Sequence, residues 1–133
     1  MKTITSMEVA EIINKNRTET NEAEFYASDD CFKPMSKTDL WVLSLIQKWT
    51  ALRPYKKDAR DCDDFANIVV GRVSNFLPCR AFGIVWAENI STNGGYHAAC
   101  CYIDDAGEFW IYEPQNGKRF QTKLSGKRTL III

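Results

Sequence analysis

Asp61-Cys62-Asp63-Asp64-Phe65-Ala66-Asn67-Ile68-Val69-Val70-Gly71-Arg72-Val73-Ser74-Asn75-Phe76-Leu77-Pro78 decides the fold. Cys62, Phe65, Ala66, Val69, Val70, Val73, Phe76 and Leu77 recur at the spacing of one helical face. Asp61 is a good N-cap and Pro78 a stop. Cys62 therefore takes the first helical position, at the N-terminal edge of the core-facing stripe. Everything downstream reads as β-structure. Residues 80–87 form an apolar strand and residues 89–95 a polar, Gly-containing loop. Residues 96–103 and 108–113 make a hairpin around Asp104-Asp105-Ala106-Gly107. Asn116-Gly117 turns into residues 118–123, and residues 129–133 are a last strand.

Upstream, Thr5 and Glu8 have capping-box spacing and start a helix with Val9, Ile12 and Ile13 on one face. Residues 18–35 are polar around Phe25-Tyr26, and read as loop with at most a short strand. Ser36 and Asp39 form a second capping box. The helix they start runs to about Leu52, and Pro54 closes it. Leu40, Trp41, Val42, Leu43, Leu45, Ile46 and Trp49 cover most of its circumference, which predicts a well-buried helix. Helices first, then consecutive antiparallel strands, means an α+β fold: N-terminal helices, one of them bearing the Cys, packed on an antiparallel sheet.

Composition bounds the function. The 133 residues are 45% hydrophobic, enough for one domain over 1–133 with residues 1–35 as a helix-and-loop extension. Seventeen basic and seventeen acidic side chains cancel. No basic stripe points to nucleic acid and no apolar run spans a bilayer. The start lacks a signal peptide, so a cytoplasmic, reducing setting with free thiols is expected. The five cysteines include no C-x-x-C pair of the metal-knuckle kind. The apolar residues 130–133 must be paired in the sheet, or they would invite aggregation.

Three chemical residues fall in a suggestive order: Cys62 at a helix start, then the single histidine, His97, on a strand, then Glu113 ending the next strand. A helix N-terminus and a neighbouring imidazolium both favour a thiolate, and a third group can orient the imidazole. Alternation puts His97, Ala99, Cys101 and Ile103 on one side of their strand, and Phe109, Ile111 and Glu113 on one side of the next. An odd-length turn sets His97 opposite Glu113, or opposite Gln115 with Glu113 diagonal on the same face. An even turn separates the pair. Asp61, Asp63 and Asp64 crowd Cys62 and work against a thiolate. A cation would relieve that, and Asp63, Asp64, Glu113, Gln115 and Asn116 offer hard oxygen ligands suited to calcium or manganese. Alternatively, these acids are ordinary first-turn helix stabilisers.

With these residues in view, the chain resembles the papain-like cysteine-protease domain at the C-terminus of the fairy-ring mushroom agglutinin. More loosely it resembles bacterial transglutaminase-like cysteine peptidases. The matching pieces are Asp61-Cys62-Asp63-Asp64-Phe65-Ala66, Gly95-Tyr96-His97-Ala98 and Glu113-Pro114-Gln115-Asn116. The resemblance implies calcium-dependent cleavage of peptide or isopeptide bonds in a protein or peptide substrate. In it Cys62 is the nucleophile, His97 the base and acid, and Glu113 the orienting group, with Asp63, Asp64, Gln115 and Asn116 around the metal. Tyr55, Lys56 and Gln47 are its candidate oxyanion donors. That agglutinin carries a sugar-binding trefoil ahead of its protease domain, and the segment before residue 36 is too short for one. Two other readings stand beside the hydrolase: an acyl-transfer enzyme on the same triad, and a non-catalytic binding module that retains the fold.

Overall fold

In the computed structural model, which describes residues 2–57, 61–91 and 95–133, the Cys-bearing helix forms as its pattern requires. It spans Cys62–Phe76 (α3), capped by Asp61, whose N–H donates to the Asp64 carboxylate at 3.2 Å. Phe65, Ala66, Val69 and Val73 are buried, while Phe76 stays exposed. Before it come β1 (Ile4–Thr5), α1 (Ser6–Lys15), β2 (Glu22–Tyr26), β3 (Cys31–Phe32) and α2 (Lys37–Thr50). After it come β4 (Phe82–Glu88), β5 (Tyr96–Ile103), β6 (Phe109–Tyr112), β7 (Arg119–Phe120) and β8 (Ser125–Ile132). Both capping boxes close. Thr5 and Glu8 exchange hydrogen bonds at 2.8 and 3.1 Å, and Ser36 and Asp39 at 2.9 and 3.1 Å.

The α+β class expected from the sequence is what forms, with one correction. The main sheet is mixed, in the order β2-β8-β4-β5-β6-β7, because β2 pairs with β8 in parallel. Residues 18–35 contain two strands rather than loop alone. In β2, Glu22, Glu24 and Tyr26 face solvent while Ala23 and Phe25 are partly covered. That alternation is strand-like, but its partner lies at the other end of the chain, where no local signal points. The apolar C-terminal run is paired on both sides, between β2 and β4.

Two cores cover the two faces of the sheet. Val85, Ala87, Ala99, Cys101, Ile103, Phe109 and Ile111 face Val9 and Ile13 of α1. Phe82, Ile84, Cys100, Tyr102 and Tyr112 face Leu43 and Ile46 of α2 and Ala66, Val69 and Val73 of α3. The expectation that α2 is well buried holds for one side only. Trp41, Leu45 and Trp49 project outward, 63%, 47% and 54% exposed.

Asp39 ties α2 to the start of the sheet. Its carboxylate is buried and receives Arg80 Nε at 2.9 Å and Nη2 at 3.3 Å. Burial pushes this acid up, but hydrogen bonds from Arg80 and Ser36 more than offset it and hold the carboxyl below its usual 3.8. A depressed folded value stabilises the fold above the unfolded value, and that contribution is lost as pH falls through the folded one. Thermal midpoints should therefore drop on acidification below about pH 4, and more steeply in the native chain than in Asp39→Asn. Equal slopes would show that Asp39 is not a source of the acid sensitivity.

Candidate functional site

The β5–β6 hairpin takes the odd register. Cys101 pairs with Ile111 and Ile103 with Phe109, so Glu113 lies diagonal to His97 on the same face. The side chains meet: His97 Nε2 lies 2.6 Å from Glu113 Oε2, with both side chains about 15% exposed (14% and 15%). The other carboxylate oxygen, Oε1, accepts from the Gln115 N–H at 3.1 Å. Glu113 is thus held at both ends and cannot swing away without losing a backbone partner.

The turn that follows is fixed as tightly. Gly117 N–H donates to the Glu113 carbonyl, and the Glu113 N–H to the Lys118 carbonyl, both at 2.8 Å. Lys118 N–H donates to Asn116 Oδ1 at 2.9 Å. Gly117 sits at φ 75°, the left-handed conformation that Asn-Gly turns supply. From beneath, the buried Gln47 of α2 donates to the Pro114 carbonyl at 3.2 Å. Gln47 is therefore committed to supporting this turn, and of the suggested oxyanion donors Tyr55 and Lys56 lie exposed on the surface.

An open cleft of about 580 Å³ lies over the pair. His97, Glu113, Gln115, Asn116 and Lys118 give it polar walls, and Ile90 and Phe120 an apolar side. Asn89 and Ser91 complete it from the loop after β4. Sequence reading missed Asn89, Ser91, Lys118 and Phe120. The Asn116-Gly117 turn was a usable signal for Lys118, since it folds that residue back beside Glu113. Nothing local marked Asn89, which holds a positive φ of 61°.

Cys62 takes the first position of α3. Among the described residues that line the cleft it does not appear, and among their hydrogen bonds none joins it to His97. Its helix packs on Cys100 and Tyr102, the opposite face of β5 from the one His97 shares with Ala99 and Cys101. Ala66 lies at Cys100, whose Sγ is 3.8 Å from its carbonyl, while Val73 and Leu77 lie by Phe82. The Cys62 end of α3 therefore points toward the His97 end of β5. All five thiols are free. Burial pushes Cys100 and Cys101 far up, which makes them unreactive packing residues. Cys62 is half-buried, and Cys31 and Cys79 are exposed.

The expected metal ligands divide in the same way. Asp61, Asp63 and Asp64 offer oxygens within 4.8 Å of one another at the start of α3. Gln115 and Asn116 line the cleft, and Asp63 and Asp64 are not among its described lining residues. Three carboxylates are a hard donor set, but calcium takes six to eight oxygens. Asp64 already accepts the Asp61 N–H, and acids in a first turn serve the helix terminus. Among the described residues, Asp61, Asp63 and Asp64 alone do not make a complete calcium or manganese site.

No family model matches the sequence, and no curated protein does. Solved structures do match. One is described as the PSL1a–E64 complex, at TM-score 0.75 and 19% identity over 96% of this chain and 51% of that one. Another is Polyporus squamosus lectin bound to the human-type influenza-binding epitope Neu5Aca2-6Galb1-4GlcNAc, at TM-score 0.73 and 18% identity, covering 96% and 49%. This chain spans about half the length of those lectin chains.

These matches overturn the resemblance to papain-like and transglutaminase-like cysteine peptidases. The structures that share the fold are of a lectin, so the reading of this chain as an enzyme, a thiol protease or a calcium-dependent hydrolase is corrected. The physical reason lies in the motifs. Asp61 and Asp64 serve the start of α3, and His97 and Glu113 are each other's partners in the cleft. The chain has the α+β fold of part of the Polyporus squamosus lectin.

Proposed function

We propose that this domain is a non-catalytic binding module, and that its ligand is a small hydroxyl- or amide-bearing molecule held in the His97–Glu113 cleft. The single observation that carries the reading is the cleft itself: fixed polar groups beside an apolar wall. Preformed concave sites that combine a few oriented polar groups with apolar surface are the usual form of small-ligand sites. Glu113, Gln115 and Asn116 supply acceptors, Lys118 and the amides supply donors, and Phe120 offers a ring face. The β6–β7 turn is braced from three sides, so little ordering is left to be lost on binding. The sialylated epitope held by the Polyporus squamosus lectin makes a glycan the class to test first.

Titration of the labelled domain with that trisaccharide, followed by amide NMR, tests this. Shifts should concentrate on Asn89, Gln115, Asn116 and Lys118, and an Asn116→Ala, Lys118→Ala double variant should bind roughly tenfold more weakly. No shifts in the cleft at millimolar sugar would remove the glycan. Iodoacetamide tests the absence of catalysis. Cys31, Cys62 and Cys79 should alkylate slowly and at similar rates. Selective, fast labelling of Cys62, or peptide cleavage that Cys62→Ala abolishes, would overturn the binding-module reading.

A further inference from the structure

The exposed side of α2 and the segment after it carry an unusual selection of residues. The exposed side chains between positions 37 and 57 include Trp41, Leu45, Trp49 and Leu52, with Lys37, Lys48, Arg53, Lys56 and Lys57 around them. No acidic side chain is exposed among them, because the one acid in that span, Asp39, is buried on Arg80. A monomer normally keeps large apolar side chains scattered, so an ordered row of them marks an interaction surface. Here Trp41, Leu45 and Trp49 recur at the four-residue spacing that stacks side chains along one helix face. The two tryptophans stand about 12 Å apart along the axis.

Each tryptophan borders a concavity with two cationic side chains. At the C-terminal end, Trp49, Leu52 and Ile68 enclose about 290 Å³ between Arg53 and Arg72. At the N-terminal end, Trp41 borders about 510 Å³ between Lys37 and Arg119. The first site is pre-set. The Arg72 guanidinium lies 4.0 Å from the centre of the Trp49 ring and donates to Thr50 Oγ1 at 2.8 Å. A ring held by a fixed cation loses little freedom when a partner covers it. Tryptophan and arginine are also the residue types that dominate binding energy at protein interfaces.

We propose that the outer face of α2 is the docking site for an acidic amphipathic helix of a partner protein. Its apolar side chains would enter the two concavities, and its carboxylates would meet the basic rim. Charge decides the occupant. A second copy of this chain, docked through the same face, would set basic rim against basic rim across a two-fold axis. A helix is favoured over a flat surface because the concavities are side-chain sized and lie about two helical turns apart, so residues at i and i+8 of a helix reach both. The face shares no described lining residue with the His97–Glu113 cleft, although its Trp41 concavity reaches Gly117, on the turn whose Asn116 and Lys118 line that cleft.

The test uses the whole domain and a synthetic helical peptide of about 16 residues. Its leucines occupy positions i, i+4 and i+8, and glutamate fills its polar face. A twin peptide with lysine in place of every glutamate is the control. Tryptophan emission should shift to the blue with the acidic peptide only, and binding should weaken as salt rises. A Trp41→Ser, Trp49→Ser double variant should bind the peptide at least tenfold more weakly while melting within a few degrees of the native chain. Binding of neither peptide, or equal binding of both, overturns the proposal. So does binding to phosphatidylserine–phosphatidylcholine vesicles without peptide binding, which would assign the face to a membrane surface. Dimerisation in sedimentation that the double variant abolishes overturns it in favour of a second copy.

Discussion

Gly83→Ala is expected to unfold the domain. A Cβ at this position would lie 1.9 Å from the Ile132 carbonyl oxygen, and 2.8 Å from Ile132 C and Ile133 Cα. All three are backbone atoms of the neighbouring chain segment, so no flexible side chain can yield. Relief requires β4 and β8 to separate. That pairing joins Ile84 to Ile132 and Val85 to Ile131 in the centre of the sheet. The loss should exceed about 4 kcal/mol, the range reserved for severe core damage, against a total of about 5–15 kcal/mol for a typical domain. Gly71→Ala is the control. Nothing lies within 4 Å of the added methyl there, and the site is inside α3, so a gain of up to about 1 kcal/mol is expected. Far-ultraviolet circular dichroism and urea melts separate the two. A Gly83→Ala protein with a native midpoint would show that β4 and β8 do not approach this closely.

Arg80→Ala should cost about 3 kcal/mol, because it strands a buried carboxylate. Asp39 keeps its hydrogen bond from Ser36 N–H at 2.9 Å but loses both donors from the guanidinium. Much of the penalty arises from the charge left behind. Arg80→Ala combined with Asp39→Asn should therefore recover part of the loss, since a neutral amide can still accept from Ser36. Urea midpoints of the single and double variants decide it. No recovery in the double variant would place the cost in the lost Arg80 packing rather than in the stranded carboxylate.

The local code of the chain was legible. Thr5, Ser36 and Asp61 each start the helix they were expected to start, and Pro78 follows the end of α3. The hairpin was readable from side-chain alternation on β5 and β6, and of the registers that alternation left open the odd one is what forms. Long-range facts were not. The parallel pairing of β2 with β8 has no signature in either segment. The burial of α2 was overestimated because its apolar residues run round the helix, and composition alone does not say which side meets the sheet.

At the site, His97 and Glu113 were found through alternation, and the structure sets them 2.6 Å apart. Cys62 was read together with them as a triad. A cysteine at a helix start, a later histidine and a later acid make a pattern that reads as chemistry, but each residue has a local explanation. The pattern did not reveal which face of the sheet α3 covers, the face that carries Cys100 and Tyr102.

The placing of β8 sets the order in which this fold can be completed. Glu22 waits for Arg128 and Tyr26 for Ile132, so β2 emerges from synthesis early and has no partner in the main sheet until almost all of the described chain has followed. Until then β4 also lacks β8 on one side. Contacts this distant in sequence slow folding and prolong the life of species with open strand edges. The α3–β5 layer, built from nearer residues, is the part able to form first. Chaperone dependence during expression should thus fall on the outer β2–β8 seam, and a circular permutation that joined those two strands in sequence would shorten the wait.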